Sequence, residues 1–392
     1  MTQPRSAARM RSAMGRRAWQ AAVLVTAGAV TALGLSAASA GAAPPGGTFQ
    51  QINMVSDQPG HASLTDPDLV NAWGLSASPG TDTAPGSPLW VSDNGTDKTT
   101  LYAGATATTV IKVPTFPNGI DVTSGAPTGQ VFNSDSNPNG FVVKDAAGLS
   151  GRATFIFDSE NGGIDGWNAG VGATAPGPST HTEVAVMNGA NAVYKGLAQA
   201  VASDGHTYLY AANFRSGRVE AYDDTWTPVE LPGGLFVDNR IPVGFAPFNV
   251  QELAGQLYVT YAKQDATLHD DVAGHGNGFV DVFTNDGAFV KRLVTRGQLN
   301  SPWGLALAPA SFGRFGGALL VGNFGDGTIN AYNINNGARL GQLRSANGPI
   351  VIDGLWGLRF GNGNAAKTGE LVFSAGPDEE SHGLLGKIVA VS

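Results

Sequence analysis

The chain has 392 residues, of which 42% are hydrophobic and 14% charged, with 55 glycines and no cysteine. Its 23 basic and 31 acidic residues give a net charge of −8, and an acidic surface argues against nucleic acid or anionic lipid as a partner. High glycine content with low charge is typical of an all-β protein with many turns, stabilised by a core rather than by disulfides.

The first 43 residues have a different composition from the rest. They contain five arginines and no acidic residue, then an apolar run from Ala21 to Leu35 and small residues from Ser36 to Ala43. This order predicts a secretory signal peptide, and the apolar run is shorter than the ~20 residues of a membrane span. Cleavage after Ala40 or after Ala43, and export by the general or the twin-arginine route at Arg16-Arg17, both stay open.

We therefore expect a signal peptide at residues 1–43 and a mature domain at residues 44–392. Without the five arginines the mature part has a net charge of −13. The expected location is extracellular, with no stable insertion in the membrane after cleavage. We expect the mature protein to be a monomer that meets an extracellular ligand or protein partner.

The mature chain begins with an isolated strand pattern at Phe49–Val55, and six similar units follow it. The units open with short apolar segments, and anchored on the large apolar residue of each segment their spacings are 68, 56, 51, 55 and 53. Those openings are Ala72–Leu75, Gly140–Val143, Lys195–Ala198, Pro247–Val250, Pro302–Leu305 and Leu355–Leu358. A period of this size predicts blades of a β-propeller rather than turns of a solenoid.

The fifth unit, Ser301–Leu343, has the clearest pattern. Four short strand segments alternate with Gly-Gly, Gly-Asp-Gly and Asn-Asn-Gly, which are turn sequences that tolerate positive φ. The sixth unit has only three strand segments before the C-terminus, so Phe49–Val55 is predicted to be its outer strand. The sequence thus predicts an all-β, six-bladed β-propeller closed by the N-terminal strand.

The repeated motifs resemble those of a known group of proteins. Asn71-Ala-Trp-Gly-Leu, Trp90-Val-Ser-Asp-Asn-Gly and Asn213-Phe-Arg-Ser-Gly are similar to motifs of NHL-repeat and gluconolactonase-like six-bladed propellers. Over nearly the whole mature chain they resemble a family of secreted bacterial propeller proteins with no assigned activity. The resemblance implies the fold, whereas activity has to be argued from the site.

One face of the predicted propeller concentrates histidines and acids. The connections between second and third strands and those between blades share this face, and loops on a rigid scaffold are common places for function. The connection Lys263–Asn277 is long, and Gly376–Gly383 is acidic. The predicted ligand face consists of His61, His269, Asp270, Asp271, His275, Asp378, Glu379 and His382.

A divalent metal, calcium or zinc, is one expectation for this face because carboxylates suit calcium and added histidines favour zinc. The alternative is a solvated acidic loop, and His269-x5-His275 fits no standard metal motif. A second predicted metal site lies at the channel mouth, where gluconolactonase-like propellers hold a metal. The resemblance implies Asn139 and Asp353 as its ligands, with Asn71 or Asn300 as a further ligand, although no glutamate precedes Trp73; turn capping is the alternative role.

Two functions follow from these patterns. The first is a ligand- or partner-binding protein, because no complete catalytic set is present. The second is a metal-dependent lactonase or esterase at the channel mouth, where a metal would polarise the substrate carbonyl. Trp73, Trp303 and Trp356 recur at equivalent positions and are predicted to pack between blades, with sugar stacking as the alternative.

Overall fold

The computed structural model describes residues 47–80, 84–104, 110–174, 176–234 and 236–391, so the predicted signal peptide lies outside them. Six antiparallel sheets follow one another along the described chain, and the prediction of an all-β six-bladed propeller is confirmed. Among the described residues no helix has the length and apolar character needed to cross a membrane.

Blades one to three are built from consecutive strands of the chain. Blade one comprises Ala72–Ser76, Leu89–Asp93, Lys98–Ala103 and Ile111–Lys112, with Ile120–Asp121 also paired to its third strand. Blade two comprises Pro127–Phe132, Phe155–Ser159, Gly163–Trp167 and Glu183–Met187. Blade three comprises Tyr194–Val201, Thr207–Asn213, Arg218–Tyr222 and Pro228–Val229.

Blades four to six have the same order. Blade four comprises Phe245–Leu253, Gln256–Lys263, Phe279–Phe283 and Phe289–Thr295. Blade five comprises Pro302–Leu307, Leu319–Asn323, Ile329–Tyr332 and Arg339–Gln342. Blade six contributes Leu355–Phe360, Leu371–Ala375 and Leu384–Val391, and its sheet continues with Thr48–Ser56 and Leu64–Thr65.

The strand Thr48–Ser56 pairs antiparallel with Leu384–Val391, in a register that begins at Thr48 opposite Val391. Its Phe49 side chain is buried and lies 5.0 Å from Phe312 and 5.7 Å from Phe315, measured between ring centroids. The first strand of the described chain and its last strand are therefore neighbours in one sheet.

The first strand of blade two is not where the sequence pattern placed it. Pro127–Phe132 is the first strand, whereas Val142–Lys144 forms a separate hairpin with Ser150–Arg152. Phe141 led to the wrong prediction because it is a buried aromatic residue that does not belong to a first strand. Its ring packs edge-on against Trp226, at 5.1 Å between centroids. The real strand has Thr128, Gly129 and Gln130 in succession, so its apolar pattern is weak.

Glycines fix the close approach of the first strands around the central channel. A Cβ on Gly74 would lie 2.4 Å from the Thr128 carbonyl oxygen, and one on Gly357 would lie 2.6 Å from the Trp73 carbonyl oxygen. No side chain fits at such distances, so the recurring Trp-Gly pairs of the sequence reflect contact between neighbouring blades.

Aromatic side chains from several blades fill part of the channel. Trp73 and Trp356 stack with ring centroids 3.5 Å apart, and Trp303 meets both edge-on at 6.0 and 5.8 Å. Phe324 stacks on the other side of Trp356 at 3.9 Å. All three tryptophans are buried, so their predicted packing role is confirmed.

The second strands of three blades end in equivalent side chains that differ in charge. Asn213 accepts a hydrogen bond from the Ser216 N–H, and Asn323 accepts one from the Asn300 N–H. Blade one has Asp93 at this place, completely buried, and among the described residues neither of its carboxylate oxygens has a hydrogen-bond partner. Burial raises the pKa of Asp93 well above its ordinary value.

We expect Asp93→Asn to raise the free energy of unfolding at pH 7 by about 1–3 kcal/mol, the cost of an unsatisfied buried polar group. Because the pKa of Asp93 is raised in the folded state, this residue lowers the free energy of unfolding more and more as pH rises above the ordinary aspartate range. The stabilisation by Asp93→Asn should therefore shrink toward pH 3. Denaturant unfolding between pH 3 and pH 7 measures this stabilisation, and Asp97→Asn on the adjoining turn is the control. A loss of stability at neutral pH would contradict the assignment.

Candidate ligand-binding site

The strand order divides the connections between two faces of the propeller. We call face A the side that carries the connections from second to third strands and from blade to blade, and face B the opposite side. His61 lies in the connection of residues 57–71, His269 to His275 in that of residues 264–278, and Asp378 to His382 in that of residues 376–383. All eight residues of the predicted ligand face are therefore on face A.

A buried lysine lies at the centre of face A. The side chain of Lys195 is 2% exposed, and its Nζ donates to Glu160 Oε1 and lies 3.5 Å from Asp270 Oδ1. The same Nζ is 5.1 Å from the ring centroid of Trp73. Lys195 occupies the position before the strand glycine that Trp73, Trp303 and Trp356 occupy in other blades, so a cation here replaces an aromatic side chain.

Polar side chains extend this network from blade to blade. Asn94 Nδ2 donates to Glu160 Oε2 at 3.0 Å, and Asn71 Nδ2 donates to Asn94 Oδ1 at 3.2 Å. Asn71 Oδ1 in turn accepts the indole N–H of Trp356 at 3.2 Å. We call Asn71, Asn94, Glu160, Lys195, His269, Asp270 and Glu380 the mouth cluster.

Glu380 reaches this cluster from an unusual turn. Asp378, Glu379 and Glu380 all have positive φ, at 54°, 55° and 65°, which is the left-handed region that costs a non-glycine residue about 1–2 kcal/mol. The turn is held by Asp353, whose Oδ2 accepts the Asp378 N–H at 2.9 Å. Glu380 Oε1 is 3.5 Å from Asn71 Nδ2, as long as the contact between Lys195 and Asp270.

The charges of the mouth cluster shift one another's ionisation. Burial and the neighbouring charge of Glu160 raise the pKa of Glu380 to about 7, although Lys195 opposes the shift. Burial alone would lower the pKa of Lys195, but the carboxylates of Glu160 and Asp270 raise it above the ordinary value. Burial acts to raise the pKa of Asp270, yet its hydrogen bond with His269 and the charge of Lys195 lower it.

Three members of the mouth cluster have the chemistry of a metal site. One oxygen each from Glu160 and Asp270 and a ring nitrogen of His269 lie within 4.8 Å of one another. His269 Nδ1 is 2.8 Å from Asp270 Oδ1. The ammonium of Lys195 contacts the same two carboxylates, so the position that suits a metal ion is next to a fixed positive charge.

The four residues predicted as a gluconolactonase-like metal site have separate environments. Asn139 follows the first strand of blade two rather than preceding it, which places it on the connection to the second strand, on face B. Asn300 accepts the Gly274 N–H, and Asp353 is exposed and holds the 378–380 turn. Within the described ranges no hydrogen bond joins any two of the four, so a metal held by all of them does not fit.

The other histidines of face A have local contacts. His382 Nδ1 lies 2.7 Å from Asp57 Oδ2, the carbonyl oxygen of His61 accepts the Asn53 side-chain N–H, and His275 Nε2 is 3.3 Å from Gln298 Nε2. In the described chain no hydrogen bond links His382 with His269. The mouth cluster therefore contains His269 and Asp270 of the predicted ligand face, together with Asn71 of the predicted metal set.

Sequence reasoning missed four members of the mouth cluster as site residues: Asn94, Glu160, Lys195 and Glu380. Asn94 and Glu160 have equivalent positions. Each follows directly after a second strand, Leu89–Asp93 and Phe155–Ser159, at the turn to the third strand. The aligned second strands contained this signal, because a polar residue immediately after such a strand lies on face A at the inner end of the blade. The sequence shows Lys195 only as a polar residue at the start of a strand. Its burial could not be predicted, because it depends on the neighbouring aromatic residues.

The sequence has relatives that match it over most of their length. "Uncharacterized protein R648" of Acanthamoeba polyphaga mimivirus is 34% identical over 351 residues, covering 87% of this chain and 80% of the relative. "Uncharacterized protein L690" of the same virus is 32% identical over 360 residues, covering 87% and 86%. The chain belongs to their family. Both members are viral, so these matches do not restrict the family to bacteria, and no family model matches the sequence.

The chain is also similar to solved structures at low identity. A protein of unknown function from Bacteroides thetaiotaomicron is 10% identical, with a TM-score of 0.48 and coverage of 88% of this chain and 76% of that chain. A Penicillium chrysogenum α-L-arabinanase is 13% identical, with a TM-score of 0.47 and coverage of 88% and 98%. A Xanthomonas campestris gluconolactonase is 14% identical, with a TM-score of 0.35 and coverage of 80% and 97%. At such scores these proteins do not indicate what a family member binds.

Proposed function

We propose that the protein is a binding protein whose mouth cluster takes a positively charged group, a primary ammonium carried by a small ligand or by a partner protein. The observation that carries the proposal is Glu380, a partly buried carboxylate held on a left-handed turn among other acids. A carboxylate in this position is costly without a ligand, and strained backbone of this kind clusters at functional sites.

The charge balance of the site favours a cation. Among the described residues, Glu160, Asp270 and Glu380 contribute negative charge around the ammonium of Lys195, and Asp271 adds negative charge near Glu380. An ammonium ligand would add the second positive charge and supply N–H donors to carboxylates. The net charge of the whole mature chain, −13, would also attract such a ligand.

Binding is expected to depend on the ionisation of Glu380. We expect putrescine or spermidine to bind with one site per chain by calorimetry at pH 8, and the neutral analogue 1,4-butanediol not to bind. Glu380→Gln should weaken the affinity at least about tenfold, the value of a hydrogen bond between charged groups.

Glu379→Gln is the matched control, because Glu379 lies on the same left-handed turn and is exposed. It should leave the affinity nearly unchanged, and neither substitution should lower the melting temperature. Absence of amine binding by the wild type, or equal effects of the two substitutions, would remove the proposal.

A metal-dependent hydrolase for lactones or esters is the second candidate. The spacing of Glu160, His269 and Asp270 favours it, and a mixed carboxylate and imidazole set suits zinc. Such a metal would polarise a substrate carbonyl. One tightly held metal per chain, lost together with lactone hydrolysis in His269→Ala, would support it. Absence of metal after growth and purification with calcium and zinc, and no turnover of lactones or esters, would exclude it.

We also propose that the mature protein is exported and acts as an extracellular monomer, and that Thr48–Ser56 closes the propeller ring. The order of basic, apolar and small residues in the first 43 residues supports export. Supporting the closure, Thr48–Ser56 pairs along its length with the last strand, and pairing of this kind removes an exposed sheet edge.

A further inference from the structure

A polar cavity lies in the channel toward face B, away from the mouth cluster. It has a volume of about 310 Å³, and its lining comes from the first strands of five blades and from Trp303 of the remaining blade. A volume of this size is at the lower end of the range for ligand pockets. Within the described ranges, the first strands that line the cavity are the end strands of their sheets, so their channel-facing edges pair with no further strand.

One charged side chain dominates this cavity. Arg359 lines it, and among the described residues the guanidinium donates only to two backbone carbonyl oxygens, those of Phe360 and Ala77, each at 3.4 Å. In the part of the chain that the structure describes, no carboxylate lies within 4.0 Å of the guanidinium as an ion-pair partner. Burial lowers the pKa of Arg359 to about 10, with no acidic group opposing the shift.

The other polar side chains that line the cavity differ in whether they form hydrogen bonds within the protein. Gln130 donates to the carbonyl oxygens of Gly74 and Trp90, at 2.6 and 2.9 Å, so its amide is fixed. Glu252, the lining carboxylate, accepts the Gly255 N–H at 2.6 Å. Gln251 lines the cavity, and its side-chain amide forms no hydrogen bond with a described residue.

We propose that this cavity binds a small hydroxylated carboxylate, with Arg359 as its anion partner and Gln251 as a hydrogen-bonding group. A guanidinium offers a planar fork of N–H donors that matches a carboxylate, and a bound carboxylate would give Arg359 the ion pair that it does not form with any described residue. The amide of Gln251 and the exposed strand edges suit hydroxyl groups. This site is separate from the mouth cluster and has the opposite charge preference.

Calorimetry with L-tartrate tests the assignment, with the neutral tetrol threitol as the uncharged match and sulfate as a second anion. We expect one tartrate per chain and at least tenfold weaker binding of threitol and sulfate. Arg359→Gln should weaken the affinity for tartrate at least tenfold. Arg344→Gln, at an exposed arginine outside the cavity, should leave this affinity unchanged. Gln251→Glu should also weaken tartrate binding at least tenfold, because it adds a carboxylate to the lining of the cavity.

Thermal unfolding separates ligand binding from a structural role. Arg359→Gln removes a charge without an acidic partner, so its melting temperature should equal or exceed that of the wild type without ligand. No tartrate binding by the wild type, tartrate affinity unchanged in both cavity variants, or a lowered melting temperature with retained binding would overturn the proposal. Equal affinity for sulfate and tartrate would overturn its assignment to carboxylates.

Discussion

Replacing Lys195 by methionine is expected to lower the free energy of unfolding by about 3–5 kcal/mol at pH 7, the cost of leaving partly buried charge unpaired. Methionine fills the space of the lysine stem, so the loss reports the charge rather than a cavity. The side chains of Lys195 and Glu160 are only 2% and 15% exposed, so water cannot take over the role of the ammonium.

The pH dependence gives this prediction a second signature. The charge of Lys195 holds the pKa of Glu380 below the value that burial alone would give, so the substitution should raise that pKa above about 7. Protonation of Glu380 then removes one repelling charge, and the deficit should shrink as pH is lowered toward 5.

Lys98→Met is the control for Lys195→Met. Lys98 pairs with Asp121, whose side chain is 67% exposed, and such a surface pair contributes less than about 1 kcal/mol. Denaturant unfolding at pH 5 and pH 7 compares the two variants. A loss below about 1 kcal/mol for Lys195→Met, or one independent of pH, would show that the mouth cluster is not organised around this ammonium.

Removal of residues 44–56 should produce the other large effect. The deletion would leave Leu384–Val391 as an exposed strand with unpaired backbone groups, which is a template for aggregation. It would also remove Phe49 from its contacts with Phe312 and Phe315. We expect a lower melting temperature and concentration-dependent association, measured by calorimetry and light scattering against a protein that begins at residue 44.

A point substitution tests the same closure without a deletion. Phe49→Ala is expected to cost about 3–5 kcal/mol, as for other buried phenylalanines, whereas Thr48→Ala on the exposed side of the strand should be nearly neutral. A deletion variant that remains monomeric with an unchanged melting temperature would contradict the proposed closure.

Much of the fold was predictable because its signals are local. Trp-Gly pairs at Trp73, Trp303 and Trp356 mark first strands where neighbouring backbones touch, and the touching requires glycine. Blade two lacks this signal, because its first strand has Thr128 before Gly129. An apolar residue buried for another reason, Phe141, then looked like a strand.

The site was less predictable because it depends on contacts between blades. Glu160, Lys195 and Glu380 come from three different blades, and no spacing in the sequence indicates that they meet. Asp353 showed an acid at a strand entry, but its role as an acceptor for the Asp378 N–H depends on the left-handed turn. The face-B cavity depends on the position of Pro127–Phe132, which the sequence pattern misplaced.

Proton release on ligand binding tests the central claim most directly. At pH 7 Glu380, with its pKa of about 7, is about half protonated, so binding of an ammonium should release about half a proton. Calorimetry of spermidine binding in buffers with different ionisation enthalpies measures this number. Release of about half a proton by the wild type and none by Glu380→Gln is the predicted result. No release by the wild type, or equal release by both proteins, would contradict the assignment of the mouth cluster as the binding site.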